Sequence, residues 1–407
     1  MVRPTPRHSV DFSRRELAAA WRTVRRGEAL EGAEQASFSR RFASFIGVRH
    51  ALPVASGRLG LFLILKARGY APGSEILLSA YNFYVVAGIV RECGLIPVFV
   101  DIETRTFNID PAKAESSITP RTRAILVTHM FGHPCDVEAL QDTAARHGMD
   151  IIEDCAHSCG ATYKEKRTGA LSRAALFSFS LLKVPTTLGG GMITTDDDAL
   201  YQAMQRRTAA LGYDRRRLLR AMIKGTACWA VSHPWLFPFL GFLPFLAIKT
   251  FAPGLEVRFL GGVPRGRYPF CLQNQVQFTN LQSALGIAQL ERIEEMIARK
   301  RAIAALYDEA LAGLPGVSIP REAVDVRGSR LYYSLLVDDA GRLSRRLCRR
   351  GIDAALSEFT DCSRWAQDAA PCPHARHVEE HILRLPNSSS LSLKEAERIA
   401  RAVRCCV

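Results

Sequence analysis

The run Leu176-Phe-Ser-Phe-Ser-Leu-Leu-Lys183 is followed by Val-Pro-Thr-Thr-Leu and the triplet Gly189-Gly190-Gly191. It reads as a buried β-strand that delivers one lysine into a loop, then glycines that let backbone approach backbone. A lysine there is costly to keep charged, because burial disfavours the ammonium form. That suits a lysine acting as an amine, a Schiff-base former and proton carrier. Upstream, Ile151-Ile-Glu-Asp154-Cys-Ala-His157 is an apolar run that ends in a carboxylate and an imidazole. Either Asp154 or Lys183 alone reads as a solvated loop charge. Together, each at a strand end, they suit pyridoxal phosphate: the lysine holds the aldehyde and the aspartate the protonated ring nitrogen.

The elements that position these residues alternate between strand and helix. Ala51-Leu-Pro-Val is a short strand, and a buried helix opens at Ser56-Gly57, offering free N–H groups and a positive dipole end to a phosphate. Strands are expected at 75–79, 96–101, 124–129 and 150–154, and helices at 83–93 and 137–146. This alternation predicts a mostly parallel sheet covered on both faces, with ligands at the carboxyl ends of the strands. Ser56, Asp154 and Lys183 all fall at or near such ends. Residues 1–50 read as an amphipathic helical segment and 51–328 as a large domain. From Ser329 a smaller α+β unit begins, running to 407 and closing on a helix capped by Ser392 and Glu395.

Composition narrows the classes. The chain has 407 residues, 48% of them hydrophobic, enough for a large core. Its eleven cysteines are odd in number and scattered, which points to a reducing cytoplasm rather than a disulfide framework. Cys155, His157 and Cys159 have no second ligand pair at zinc-like spacing, so no metal is expected. The formal charge of +14 permits nucleic acid, anionic lipid or phosphorylated substrates. Arginines cluster at 215–220 and 345–350, which read as solvated helix faces, and no nucleic-acid module is present.

These residues, in this order, resemble the DegT/StrS family of sugar aminotransferases. The resemblance rests on Ser56-Gly57, on 101–110, on Thr128-His-Met-Phe-Gly-His-Pro-Cys-Asp136, on Glu153 to His157, on Phe177 to Lys183 and on Leu285 to Leu290. It implies the three-layer, fold type I architecture of pyridoxal-phosphate enzymes and a homodimer. Lys183 is then the catalytic amine, and Asp154 the partner of the pyridinium nitrogen. His157 would reach the ring hydroxyl and Phe83 would stack on the ring. Ser178, with Ser56 and the Gly57 and Arg58 amides, would hold the phosphate. The implied reaction moves an amine, from glutamate by default, to a keto group on a sugar nucleotide or on a lipid-linked, membrane-proximal acceptor. Two alternatives share the fold: a dehydratase, which in some relatives carries histidine at the lysine position, and a non-catalytic membrane-associated or regulatory protein.

The chain departs from the family pattern in several places. Arg58 replaces the usual threonine; its guanidinium suits a phosphate, or points to solvent. Gly189 replaces a glutamate. Gln275 stands where the family's cross-subunit asparagine is expected. The histidine-bearing stretch near 358 is missing. The largest departure is an insertion at about 215–268, in which residues 225–248 contain no Asp, Glu, Lys or Arg. Pro234, Pro238 and Pro244 argue against a spanning helix. Two short helices dipping into one leaflet, flanked by basic residues and carrying Trp229 and Trp235, are the expectation. The other reading is a flap packed on the protein or on a partner subunit. The implied location is the cytoplasm, peripheral at the inner membrane face.

Overall fold

The computed structural model describes residues 3–407 apart from 234, 245, 247–274, 324, 367 and 368. Its main sheet has seven strands: β1 (His50–Val54), β2 (Glu75–Ser79), β3 (Ile96–Val100), β4 (Thr122–Thr128), β5 (Asp150–Asp154), β6 (Ala174–Ser178) and β7 (Gly191–Thr195). They lie in the order β1-β7-β6-β5-β4-β2-β3. Only β7 runs antiparallel to its neighbours. A sheet covered on both faces needs apolar side chains pointing both ways, and Ile76, Leu77 and Leu78 are all fully buried.

The two faces bury separate cores. On one, Ile76, Leu78, Leu126, Ile152, Leu176 and Ile193 meet the helices Gly57–Arg68, Tyr84–Glu92 and Asp198–Ala209. On the other, Leu77, Ile125, Val127 and Ile151 meet the helix Val137–Arg146, while Phe177 and Met192 meet the helix Glu34–Ile46. Each such side chain contributes about 1.5–3 kcal/mol on burial. The fold is therefore three-layered, with a mostly parallel central sheet, as the sequence implies.

A smaller antiparallel sheet follows, in the order Val317–Ser318, Tyr333–Val337, Ile382–Leu385, Ala355–Leu356. Its core takes Leu343 and Leu347 from the helix Ala340–Arg349 and Ile399 and Val403 from the helix Leu393–Arg404. It also takes Ile303, Tyr307 and Leu311 from the helix Ile293–Leu311. The start of that same helix, at Ile293 and Ile297, packs in the large unit beside Phe177. One rigid element thus ties the small sheet to the layer behind the lysine-bearing strand.

The insertion differs from the expected pair of short helices. Its basic run and the first part of its apolar run form one 18-residue helix, Arg215–Ser232. The reason is local: Asp214 caps the start by accepting from the Arg217 amide, and no proline occurs from Arg215 to His233. A short π-helical turn, Pro238–Phe242, follows. Phe237 and Phe242 bury against Cys348 of the small unit, while Trp235, Phe239, Leu240 and Leu243 stay exposed. The remainder of the expected apolar segment, residues 247 and 248, and the basic flank Lys249 lie outside the described residues. Among the described residues no helix is long and apolar enough to cross a membrane.

Candidate active site

Strand alternation decides which side chains face the site. In β6 and the residue after it, Phe177 and Phe179 point into an aromatic cluster with Phe42, at centroid distances of 5.1 and 5.5 Å. Ser178 between them therefore faces the other way, toward Gly57. A methyl group on Gly57 would sit 3.3 Å from the Ser178 Cβ. Ser56 caps the helix Gly57–Arg68, its side chain accepting from Leu59 N at 3.1 Å. The Gly57 and Arg58 amides have no partner within the helix, because they belong to its first turn. Gly191 closes the cup from below. A Cβ there would lie 2.3 Å from the Phe177 carbonyl and 2.8 Å from Gly57 N, so only glycine fits. Hydroxyl, free amides and helix dipole together make a cradle suited to a phosphate.

The same alternation splits the end of β5. Glu153 points into the layer behind the sheet. It accepts from Gly169 N, Leu171 N and Ser172 Oγ at 2.8, 3.0 and 2.9 Å, and pairs with His129 Nε2 at 3.0 Å. His129 Nδ1 accepts from Cys135 N, so Nε2 carries the proton and donates to Glu153. Glu153, His129 and Cys155 lie close enough together to hold a metal. Four donors already occupy the carboxylate, so it reads as a buttress that fixes the strand end. Asp154 points the other way and is buried, with Oδ1 accepting from Ala156 N at 3.0 Å. Burial raises its pKa, against the Ala156 amide and the charge of Lys183.

His157 is buried, and its Nδ1 accepts from Phe131 N at 3.2 Å. Burial first, then the charges of Lys183 and Arg384, hold its pKa well below the usual imidazole value. The ring is therefore neutral, with its proton on Nε2, where it can donate to an oxygen. Its neighbours are Phe131, stacked at 6.1 Å, and Tyr332 and Phe359, edge-on at 5.4 and 5.1 Å.

Lys183 lies half-buried beyond β6, its Nζ 5.5 Å from the centre of the Tyr332 ring. Burial pushes its pKa down to about 8; Glu358 and Asp154 oppose this, and Arg384 adds to it. An amine with that pKa is about one-fifth neutral near pH 7.4 and half neutral at pH 8, as suits a nucleophile and proton carrier.

The structure gathers Ser56, Gly57 and Ser178 at the cradle, and Asp154, His157 and Lys183 around one electrostatic centre. Phe83 is half-buried at the start of the helix Tyr84–Glu92, 6.3 Å from the Phe359 ring. The Arg58 side chain is exposed, with its guanidinium 5.8 Å above the Phe83 ring. Gln275 is exposed, and among the described residues it makes no hydrogen bond within its own chain.

The family model for DegT/DnrJ/EryC1/StrS aminotransferases matches residues 11–226 and 259–404. The chain belongs to that family. The unmatched gap, 227–258, covers most of the apolar run, so that part of the insertion lies outside the family pattern. The chain is 38% identical over 342 residues to the UDP-2-acetamido-2-deoxy-3-oxo-D-glucuronate aminotransferase of Pseudomonas aeruginosa, covering 83% of this chain and 80% of that protein. It is 32% identical to the spore coat polysaccharide biosynthesis protein SpsC of Bacillus subtilis over 331 residues, 81% of this chain and 74% of that one. Among solved structures, Streptomyces venezuelae DesV superposes with a TM-score of 0.75 at 28% identity, covering 96% of this chain and 93% of DesV. This protein is a pyridoxal-phosphate-dependent aminotransferase of the same fold. The residues present fit the cofactor: a cradle too tight for any Cβ at Gly191, a buried carboxylate, a ring N–H donor and a lysine of lowered pKa.

Three further residues line the site and were not identified from sequence. Tyr332 and Arg384 lie on strands of the small sheet or beside them, and Glu358 lies in the loop between strands. Arg384 is only 4% exposed and lies 4.9 Å over the Tyr332 ring. Its Nη1 reaches Glu358 at 3.4 Å, while its buried Nε has no hydrogen-bond partner among the described residues. The one sequence signal was Arg384 itself, a charge inside the apolar strand Ile382-Leu-Arg-Leu385.

Proposed function

We propose that this enzyme transfers the amino group of an α-amino acid, glutamate by default, to the keto group of a nucleotide-linked sugar. The observation that carries this reading is that the Lys183 charge acts on both Asp154 and His157, beyond the ends of the neighbouring strands β5 and β6, the second of which carries Ser178. The cofactor, when bound, supplies an aldehyde that captures amines and a ring that takes up electrons.

In this reading the cradle holds the phosphate through the Gly57 and Arg58 amides and the Ser178 hydroxyl. Asp154 keeps the ring nitrogen protonated; its own raised pKa falls once a positive neighbour is present. His157 donates its Nε2 proton to the ring oxygen. Phe83 covers one ring face. Lys183 would hold the cofactor through its amine and would serve as the group that takes and returns the proton at the substrate carbon in both half-reactions. Arg384 supports a carboxylate-bearing donor: a buried guanidinium with an unsatisfied Nε is matched by a carboxylate. Relatives named for nucleotide-sugar amination support the acceptor class.

The enzyme acts as a homodimer, with Gln275 reaching the partner's site. It works in the cytoplasm, held at a membrane surface by the exposed side chains of the insertion. A panel of keto nucleotide sugars incubated with ¹⁵N-glutamate tests the reaction. Label in a sugar amine is expected. Label transfer to 2-keto acids alone, with every sugar untouched, would overturn the acceptor class.

A further inference from the structure

Beside the insertion lies a second cavity, about 600 Å³ in volume, away from the catalytic centre. Its lining includes Arg349, Arg350, Arg398 and Arg401, with Pro4 and Phe242 as apolar wall. No carboxylate lines it among the described residues. The acid that acts on Arg398 is Glu395, which is already engaged in capping the last helix through Ser392. Arg398 is held in place, donating to Thr5 Oγ1 at 2.7 Å and to the Arg350 carbonyl at 3.3 Å. Arg349, Arg350 and Arg401 are exposed at the mouth. Guanidiniums converging without counter-charge repel one another, so the arrangement is relieved by an anion with several acceptor oxygens.

The wall identifies the anion. Phe242 belongs to the insertion, the part of the chain outside the family pattern. It buries against Cys348, next in sequence to Arg349. From the same turn project Phe239, Leu240 and Leu243, which are 69, 54 and 55% exposed, and Trp235 just before them is 75% exposed with Arg3 4.3 Å over its ring. A phosphate in the cavity would therefore have apolar side chains next to it, and aromatic residues with basic neighbours suit a bilayer interface. A free phosphate needs only the guanidiniums; a lipid phosphate uses both parts.

We infer that the arginine-lined cavity is a headgroup site for an anionic phospholipid, seated there when the insertion enters the leaflet. This rests on the membrane-facing reading of the insertion, and the test separates the two. The holoenzyme is floated with vesicles of phosphatidylcholine alone and with added phosphatidylglycerol. Two double variants are compared: R349A/R401A at the cavity, and R342A/R345A, which removes the same charge from exposed positions outside its lining.

The intact enzyme should float with anionic vesicles. R349A/R401A should weaken binding about thirtyfold, from roughly 1 kcal/mol per basic residue at an anionic surface. R342A/R345A should weaken it only a few-fold, and both should aminate a soluble acceptor normally. Equal losses in the two pairs mean diffuse charge and overturn the site. So does no loss with R349A/R401A while the enzyme still floats, which leaves the membrane reading standing. If inorganic phosphate titrated into the holoenzyme binds as tightly as the vesicles do, the occupant is a free anion and the lipid assignment fails. If the intact enzyme floats with neither vesicle, the membrane reading falls and the lipid site with it.

Discussion

The titration of Lys183 should set the pH dependence of cofactor capture, and its neighbours should shift it in opposite directions. Burial lowers the ammonium pKa to about 8 from the 10.5 of an exposed lysine. At pH 8 the neutral fraction is then about one half, where an unperturbed lysine would have roughly 0.3%, a gain of more than a hundredfold in reactive amine. The assay is stopped-flow absorbance of pyridoxal phosphate added to cofactor-free enzyme across pH 6–11. The rate should rise through a midpoint near 8. Glu358→Gln removes the charge that most stabilises the ammonium and should move the midpoint down. Arg384→Met removes a repelling charge and should move it up. The same shift has a signature in stability. The folded-state pKa lies below the unfolded one, so the unfolded chain binds more protons between pH 8 and 10.5, and stability rises with pH across that window. Below pH 8 the cost is fully present, about 3 kcal/mol, and Lys183→Met should recover it in the cofactor-free protein. A midpoint near 10.5, or shifts of the wrong sign in the two variants, would refute the electrostatic argument.

Other consequences follow from single contacts. Asp154→Asn should retain cofactor through the cradle yet slow single turnover roughly a thousandfold or more, because a neutral amide cannot hold the ring nitrogen protonated; rates within a few-fold of wild type would contradict this. Gly191→Ala forces a methyl into the Phe177 carbonyl, so cofactor affinity and thermal midpoint should both fall, as calorimetry would show. Arg384→Met should raise the KM for glutamate at least tenfold through the lost carboxylate contact, while the half-reaction with the keto sugar should change only through the upward shift of Lys183 that both halves share.

Local pattern made half of the site readable. The Phe-Ser-Phe alternation orients Ser178 and leads to Lys183, and the apolar run before Asp154 ends where a parallel strand must end. Ser56-Gly57 announces a helix start. Tyr332 and Glu358 carry no such signal, and Arg384 only its place inside an apolar strand, because their roles depend on how the small sheet packs over the large one, through the shared helix Ile293–Leu311. From sequence the basic run 345–350 reads as a solvated face. What gives two of its arginines a common target is the approach of the last helix and of Phe242, contacts made by residues distant in sequence. The insertion shows the same limit from the other side. Its prolines argue against a spanning helix, and no helix among the described residues is long and apolar enough to be one, but they do not announce the long helix ahead of them, which the Asp214 cap begins.

In the proposed reaction the cofactor would carry the nitrogen from donor to acceptor, and Lys183 would hold the cofactor and move the proton that each half-reaction needs. The most direct test follows ¹⁵N from labelled glutamate into the sugar product in wild type and in Lys183→Ala, with cofactor binding measured in both. Wild type should give labelled amino sugar, and the variant should still bind pyridoxal phosphate non-covalently but form no labelled product. Turnover by Lys183→Ala near the wild-type rate would contradict it.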